Sequence, residues 1–129
     1  MKKINILINN LNFEGELNET KIAEKIYKVL PIETEGNFWG QEIYFEIPVE
    51  MRNEKPTENL RVGDLAFWPE GNCLCIFYGP TPASTDNEPK PASPVIIVGK
   101  IKGNVEELKK NQQSQNQNNQ ILSLEDKEK

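Results

Sequence analysis

Residues 63–84 constrain the fold more than any other part of this chain, and they read GDLAFWPEGNCLCIFYGPTPAS. Two short apolar segments, residues 65–68 and 73–78, are separated by Pro-Glu-Gly-Asn. Proline presets the first torsion of a turn, and Gly or Asn accepts a positive φ, so this arrangement predicts a β-hairpin. Because the second segment is apolar at consecutive positions, we expect both faces of its strand to be covered.

Apolar residues predict further strands on both sides of this hairpin. Two runs of alternating residues surround Asn9 and Asn10 within residues 3–17, which predicts an N-terminal hairpin with an asparagine turn. Residues 95–101 predict the last strand of the domain. Strict alternation over residues 42–47 predicts a strand with Glu42, Tyr44 and Glu46 on its outer face and a core-facing set formed by Ile43, Phe45 and Ile47.

Two helices are predicted, each beginning at a capping asparagine. Asn18 is positioned to cap the first helix and Pro31 to end it. Between them, apolar residues recur at spacings of three and four: Ile22, Ala23, Ile26, Val29 and Leu30. Asn104 is positioned to cap a short second helix that carries Val105 and Leu108. Residues 79–94 contain five prolines and are predicted to form a long loop.

About seven or eight short strands with only two helices are typical of a β-barrel or a β-sandwich, and closing the sheet removes exposed strand edges. All of these elements fall within residues 1–110, which we expect to form one domain. Residues 111–120 read NQQSQNQNNQ, a composition that cannot bury enough apolar surface to offset the entropy of ordering the chain. Residues 111–129 are therefore predicted to be an Asn/Gln-rich disordered tail.

The charge balance argues against nucleic acid and membrane partners. The chain has 15 Lys and Arg against 20 Asp and Glu, a net charge of −5, and no cluster of basic residues. Affinity for phosphate backbones depends on such clusters, so we expect no nucleic-acid binding. No apolar run approaches the roughly 20 residues of a membrane-spanning helix, and asparagines interrupt the N-terminal segment where a signal peptide would be apolar. A cytoplasmic protein is the expectation.

The cysteines and the lack of histidine limit the chemistry that we expect. Cys73 and Cys75 are one residue apart in a predicted strand, so they point the same way and are poorly placed to bond to each other. We interpret them as buried thiols. With no histidine in the chain, a zinc site would have to combine soft thiolates with carboxylates, so we expect neither a metal nor a cofactor. The usual Ser or Cys triads are also excluded.

Two blocks of the sequence carry a family resemblance. Residues 37–49 (NFWGQEIYFEIPV) and residues 63–84, followed by the proline and valine positions of residues 91–101, resemble a family of small prokaryotic cyclophilin-like domains. This resemblance covers nearly all of residues 1–110. It implies a mainly β fold, a closed eight-stranded barrel with two helices capping it, which is the fold of peptidyl-prolyl isomerases.

The isomerase activity of cyclophilins depends on an arginine that has no counterpart in the matching segments of this sequence. Isomerising cyclophilins use an arginine that hydrogen-bonds the prolyl group as the amide twists, followed closely by Phe-Met and Gln-Gly-Gly-Asp segments. The barrier to that twist is about 20 kcal/mol, so a donor that acts only on the twisted amide is the chemical requirement. Arg52 and Arg61 are the only arginines here, and neither precedes such segments. No catalytic residue can be assigned.

Outward-facing aromatic residues and a loop with hydroxyl groups suggest a binding groove, because Tyr and Trp combine a large apolar area with a polar group. The candidate ligand contacts are Trp39, Glu42, Tyr44, Trp68, Thr81, Pro82 and Ser84. Structural roles are the alternative: Trp68 covers its hairpin, Trp39 seals one barrel end, and the two hydroxyl residues bond within their own loop. Asp64 is expected to form a turn.

Three functions are compatible with these residues. The first is a binding domain for a proline-containing peptide or a small molecule, without efficient isomerase activity. The alternative is a genuine peptidyl-prolyl cis-trans isomerase with an atypical site, in which Arg52 or Arg61 replaces the missing donor. A hydrolase or lyase using Glu42 and Asp64 ranks last, since nothing resembles a nucleophile with its base.

Overall fold

The computed structural model describes residues 2–9, 11–51, 55–114 and 120–127, which form eight strands and two helices. The helices are α1 (Lys21–Lys28) and α2 (Glu106–Ser114). The strands are β1 (Lys2–Ile8), β2 (Leu11–Leu17), β3 (Ile32–Phe38), β4 (Glu42–Glu46), β5 (Asp64–Trp68), β6 (Cys73–Phe77), β7 (Ile96–Lys102) and β8 (Gln120–Asp126).

The strands close into one antiparallel barrel in the order β1-β2-β7-β5-β6-β4-β3-β8, and β8 returns to pair with β1. The predicted closed eight-stranded barrel with two helices is confirmed. The N-terminal hairpin, the β5–β6 hairpin and the last predicted strand are also present, the last as β7. In the β5–β6 turn, the residue with positive φ is Asn72, at 52°.

The barrel interior is filled by alternate residues from all eight strands. In β4, Ile43 and Phe45 are fully buried, as the alternation predicts, and Ile47 just after the strand is also buried. Each helix contributes to the same cluster, α1 through Ile22, Ala23 and Ile26 and α2 through Leu108. Both helices therefore cover the barrel with apolar side chains, and closure leaves no unpaired edge among the described strands.

The cap of α1 corrects the sequence prediction. Thr20, and not Asn18, is the N-cap, and its Oγ1 accepts a hydrogen bond from the amide of Ala23 at 3.2 Å. The side chain of Asn18 accepts from both the amide and the hydroxyl of Thr20, and its Nδ2 donates to the carbonyl of Ile97 at 2.9 Å. Asn18 therefore ties the start of the helix to β7 instead of capping it.

The structure also differs from the prediction of a disordered tail over residues 111–129. Residues 120–126 form β8, which lies between β1 and β3, and its Leu122 and Leu124 are fully buried. The alternation of these two leucines with polar residues suits a strand with one buried face. The remainder of the predicted tail includes residues 115–119, 128 and 129, which lie outside the described residues.

Strand β3 is an element that the sequence pattern did not reveal. It reads IETEGNF, and only Ile32 and Gly36 are buried in it. A side chain at Gly36 would collide with Leu122, because an added Cβ would lie 2.2 Å from its Cδ1. Pairing with β4 and β8 fixes β3 as a strand despite its polar composition.

A second, smaller apolar layer lies on the outside of the barrel. All five residues of β6 are buried, as predicted for a strand covered on both faces. Its outward residues Cys73, Cys75 and Phe77 cluster with Leu60, Ala66 and Val95. The segment around residue 57 pairs with Val95 through two backbone hydrogen bonds, of 2.7 and 2.9 Å, and helps to form this cover. In the described part of the chain, neither helix has the length and hydropathy to span a bilayer.

Candidate functional site

A cavity of about 200 Å³ lies in the outer layer, against the exterior face of strands β4, β6 and β5. Strand β6 forms its floor because it lies between the other two strands. Loop residues 91–95 form part of its rim. The residues that line the cavity are Trp39, Glu42, Tyr44, Trp68, Cys75, Phe77, Pro91, Ala92 and Val95.

Strand register explains why these side chains meet. Glu42 lies opposite Phe77 and Tyr44 lies opposite Cys75 across the β4–β6 ladder, so alternate outward residues of both strands border the same space. On the other side of β6, Trp68 lies opposite Cys73. The ring of Trp68 covers Gly71 of the hairpin, where an added Cβ would lie 2.5 Å from Cζ3. Trp68 therefore covers its turn, as one interpretation held, and also lines the cavity.

The turn between β3 and β4 places Trp39 beside Glu42. Their backbones are hydrogen-bonded in both directions, at 2.9 and 3.2 Å. Gly40 has a φ of +60°, and an added Cβ would lie 2.7 Å from Pro82 and 2.8 Å from Thr81. Glycine is needed here for both reasons, since the backbone adopts a left-handed conformation and the 79–82 loop approaches it closely.

Hydrogen bonds hold the rim of the cavity to its wall. The indole Nε1 of Trp68 donates to Oγ of Ser93 at 2.6 Å, and that hydroxyl donates to Glu70 at 3.1 Å. The backbone pair between Thr57 and Val95 holds the other end of the same loop. The loop that carries the rim residues is therefore held to β5 at Ser93 and to the segment around Thr57 at Val95.

Glu42 is a buried carboxyl in an apolar setting, with 6% of its surface exposed. Burial raises its pKa from the usual 4.5 to about 7, and a hydrogen bond with the Cys75 thiol opposes this rise. The pKa of Cys75 is itself raised well above its ordinary value, first by burial and then by the charge of Glu42. Near neutral pH the carboxyl can therefore be either neutral or charged, while Cys75 stays a thiol.

Four of the seven predicted ligand contacts come together in this cavity: Trp39, Glu42, Tyr44 and Trp68. The other three lie outside its lining. The Thr81 hydroxyl donates to the carbonyl of Lys90 at 2.5 Å, the Ser84 hydroxyl donates to the carbonyl of Glu88 at 2.7 Å, and Pro82 is exposed beside Gly40. The hydroxyl groups thus bond within their own loop, as the structural interpretation expected.

The proposed carboxylate pair is not assembled around the cavity. Asp64 accepts a hydrogen bond from the amide of Arg61 at 2.8 Å and forms the predicted turn, whereas Glu42 is in the cavity lining and Asp64 is not. Arg61 is exposed, and Arg52 lies outside the described residues. Within the ranges that the structure describes, no three His, Cys, Asp or Glu residues are grouped as metal ligands.

Sequence reasoning missed five of the lining residues. Cys75 and Phe77 are predictable as part of an outer site, because a strand that is buried on both faces must have its outward side chains covered by another segment. Pro91, Ala92 and Val95 could not, since no periodic pattern shows where a proline-rich loop folds back.

Comparison with known proteins identifies the family. The family model described as cyclophilin-like matches residues 2–118. No curated protein matches the chain. Among solved structures, the solution structure of the hypothetical protein AF2241 from Archaeoglobus fulgidus is similar, with 28% identity and a TM-score of 0.76 over 97% of this chain and 94% of that one.

A second solved structure is that of McbB in complex with tryptophan, with 14% identity and a TM-score of 0.73. The alignment covers 98% of this chain and 45% of McbB, so the likeness is to the fold alone. The resemblance found in residues 37–49 and 63–101 agrees with the family match, which extends over almost all of the described barrel. This chain is a member of the cyclophilin-like family.

Proposed function

We propose that this domain binds a small, largely apolar molecule in the outer cavity. The observation that carries the proposal is the composition of the cavity wall, in which aromatic side chains from three strands and a turn surround one buried carboxyl, that of Glu42. Binding sites for small molecules are typically apolar concavities with a few polar groups that orient the ligand. This cavity has that composition.

The size of the cavity favours a small molecule over an extended peptide. Drug-sized ligands occupy roughly 300–1,000 Å³, whereas an apolar cavity of roughly 150 Å³ in another protein is large enough for benzene. At about 200 Å³, the cavity has room for one or two rings. A peptide would place a single side chain in it and would need an additional groove for its backbone.

The structural neighbour solved with tryptophan suggests a probe. McbB shares only the fold with this chain, so none of its residues can be transferred. Indole is a suitable probe on physical grounds, because it is planar and has two fused rings. Its single N–H can donate a hydrogen bond to a carboxyl oxygen.

Prolyl isomerisation finds less support at this cavity. No arginine is found among the described residues that line the cavity. Arg61 is exposed in the loop before β5. A twisting amide bound in the cavity would therefore meet the Glu42 carboxyl and no guanidinium donor from the described lining.

The binding proposal is tested by titrating the protein with indole and following backbone amide shifts by NMR. Perturbations should centre on β4, β6 and the 91–95 loop. Ala92→Phe should weaken binding at least tenfold, because Ala92 is an exposed lining residue where a ring would fill the entrance. Ala83→Phe is the matched control, since Ala83 is an exposed alanine of the same loop outside the lining. No shift changes at millimolar indole, or equal effects of both variants, would refute the proposal for this probe and site.

The same samples distinguish the peptide and isomerase alternatives. Exchange NMR on an Ala-Pro tetrapeptide should show the uncatalysed interconversion rate, and peptide addition should not perturb the cavity residues. Accelerated exchange that is lost in Ala92→Phe would replace the small-molecule proposal with the isomerase alternative.

A further inference from the structure

Four of the nine described residues that line the cavity are aromatic. Trp39 comes from the β3–β4 turn, Tyr44 from β4, Trp68 from β5 and Phe77 from β6. Aromatic side chains therefore border the space from four different elements. Aromatic faces attract cations through their quadrupoles, and Trp does so most strongly.

The single carboxyl in the cavity sets the charge that a ligand can carry. Among the described lining residues, Glu42 is the only acidic one, and none carries a positive charge. Its partner in the structure is the Cys75 thiol, which is a weak donor and leaves most of the acceptor capacity of a carboxylate unused. A neutral apolar ligand would desolvate this group further, and an anion would be repelled by it.

Resting on the function proposed above, we infer that the natural occupant is a small organic cation of the methylated ammonium class. Its charge lies against the Glu42 carboxylate, and its methyl groups lie against the aromatic wall. The net charge of the chain, −5, favours the approach of a cation.

Methylation of the ammonium group follows from the apolar, aromatic composition of most of the wall. A primary ammonium has three N–H donors that need partners, whereas a quaternary ammonium has none. In this cavity, Glu42 supplies the one carboxylate among the described lining residues and most of the rest of the wall is apolar, so N–H groups directed away from Glu42 would meet few acceptors. A trimethylammonium group is roughly the size of benzene, which a cavity of this volume admits.

The inference is tested with a matched pair of probes, choline and 3,3-dimethyl-1-butanol. These two molecules have the same shape, and the second replaces the charged nitrogen with carbon. NMR titration at pH 8 should give choline at least a tenfold lower Kd than the neutral analogue. Equal affinities, or tighter binding of the neutral analogue, would overturn the inference.

Indole separates the failure of this inference from the failure of the proposed function. Binding of indole with no binding of choline would overturn the cation inference and leave the cavity as a small-molecule site. Absence of binding by indole, choline and the neutral analogue alike would refute both.

The pH dependence of the choline Kd supplies a second readout. The titratable groups that face Glu42 are Cys75 and Tyr44 within the lining, together with the neighbouring Cys73, whose pKa is raised by burial and by the charges of Glu46 and Glu42. Glu42, with a pKa of about 7, changes charge between pH 6 and pH 8, whereas Cys75, whose pKa is raised well above its ordinary value, stays a thiol. The Kd for choline should therefore rise about tenfold from pH 8 to pH 6, and that of the neutral analogue should stay constant. A choline Kd that does not depend on pH would contradict the role of Glu42.

Glu42→Gln completes the test, because it keeps the shape of the side chain and removes its charge. Choline affinity should fall at least tenfold and lose its pH dependence, with little change for 3,3-dimethyl-1-butanol. Glu46→Gln is the control, an exposed residue on the same strand and outside the cavity lining. If Glu42→Gln fails to fold, the comparison of the two probes in the unmodified protein still decides the outcome.

Discussion

The two faces of strand β6 are both buried, but they are buried in different ways. Its inward residues, Leu74 and Ile76, belong to a cluster that draws on all eight strands and both helices. Its outward residues, Cys73, Cys75 and Phe77, belong to a small cluster covered mainly by loops. The inner face is filled by regularly spaced side chains, whereas the outer face borders a cavity of about 200 Å³.

This difference shows where a barrel of this kind has room for a ligand. Closure of the sheet fixes the spacing of the interior side chains, and interiors pack to the density of organic crystals. A loop with several prolines has no two-residue repeat, so its side chains cannot pack against every outward residue of a strand. Space is therefore left between the loop and the strand. The proposed binding site is therefore a product of the loop cover and not of the barrel itself.

The largest expected effect comes from truncating one phenylalanine on each face. Phe67 points inward and Phe77 outward, and both are fully buried. Phe67→Ala should lower the free energy of unfolding by about 3–5 kcal/mol, since it leaves a closed cavity. Phe77→Ala should lower the free energy of unfolding by a smaller amount, at least about 1 kcal/mol less than Phe67→Ala does, because the space that it creates joins an existing cavity. Urea unfolding measures both variants, and equal losses would contradict the distinction between the two faces.

A pH titration of stability tests the burial of Glu42. Its pKa is about 7 in the folded protein against the usual 4.5, so between these values the folded protein keeps a proton that the unfolded chain releases. The contribution of Glu42 to the free energy of unfolding should therefore fall by ~3 kcal/mol from pH 4.5 to pH 7 and then remain constant.

Urea unfolding of the unmodified protein and of Glu42→Gln between pH 4.5 and 8 isolates this contribution. Glu14 and Glu16 have lowered pKa values because of hydrogen bonds with Lys127 and Lys102, and they are common to both proteins. If the difference in free energy of unfolding between the two proteins does not change with pH, the Glu42 carboxyl is solvated and the expected burial is contradicted.

The smallest effect is expected at the rim. Ser93→Ala removes the acceptor of the Trp68 indole N–H and should lower the free energy of unfolding by about 1 kcal/mol. Hydrogen exchange should accelerate in the 91–95 loop while the β1–β2 hairpin is unaffected. Thr85→Ala, at an exposed position of the same long loop, serves as the control. Uniform acceleration across the barrel would mean that the rim and the barrel unfold together.

Sequence reasoning was most successful where burial follows a simple period. The alternation in β4 correctly assigned Ile43 and Phe45 to the interior and placed Glu42 and Tyr44 together on the outer face. The continuous apolar run of β6 correctly indicated cover on both sides. Both results depend on the two-residue repeat of a strand, which any sheet imposes.

The failures have physical causes that a local pattern does not contain. Strands β3 and β8 are held by pairing partners far away in sequence, and β3 has a polar composition that gives no strand signal by itself. The position of Asn18 predicts a cap, but its side-chain oxygen accepts from the amide and hydroxyl of Thr20, and its Nδ2 donates to the carbonyl of Ile97, 79 residues away. The rim of the cavity depends on how a proline-rich loop folds back, which no local rule specifies.

The pairing of β8 with both β1 and β3 has a consequence for synthesis on the ribosome. Ile4 meets Asp126 in the ladder, so β1 leaves the ribosome well before its partner β8. Until residue 126 has left the exit tunnel, the nascent sheet has two unsatisfied borders that can pair with other chains. Translation speed through the codons of β8, and the chaperones present at that moment, then influence how much of the product reaches its native state.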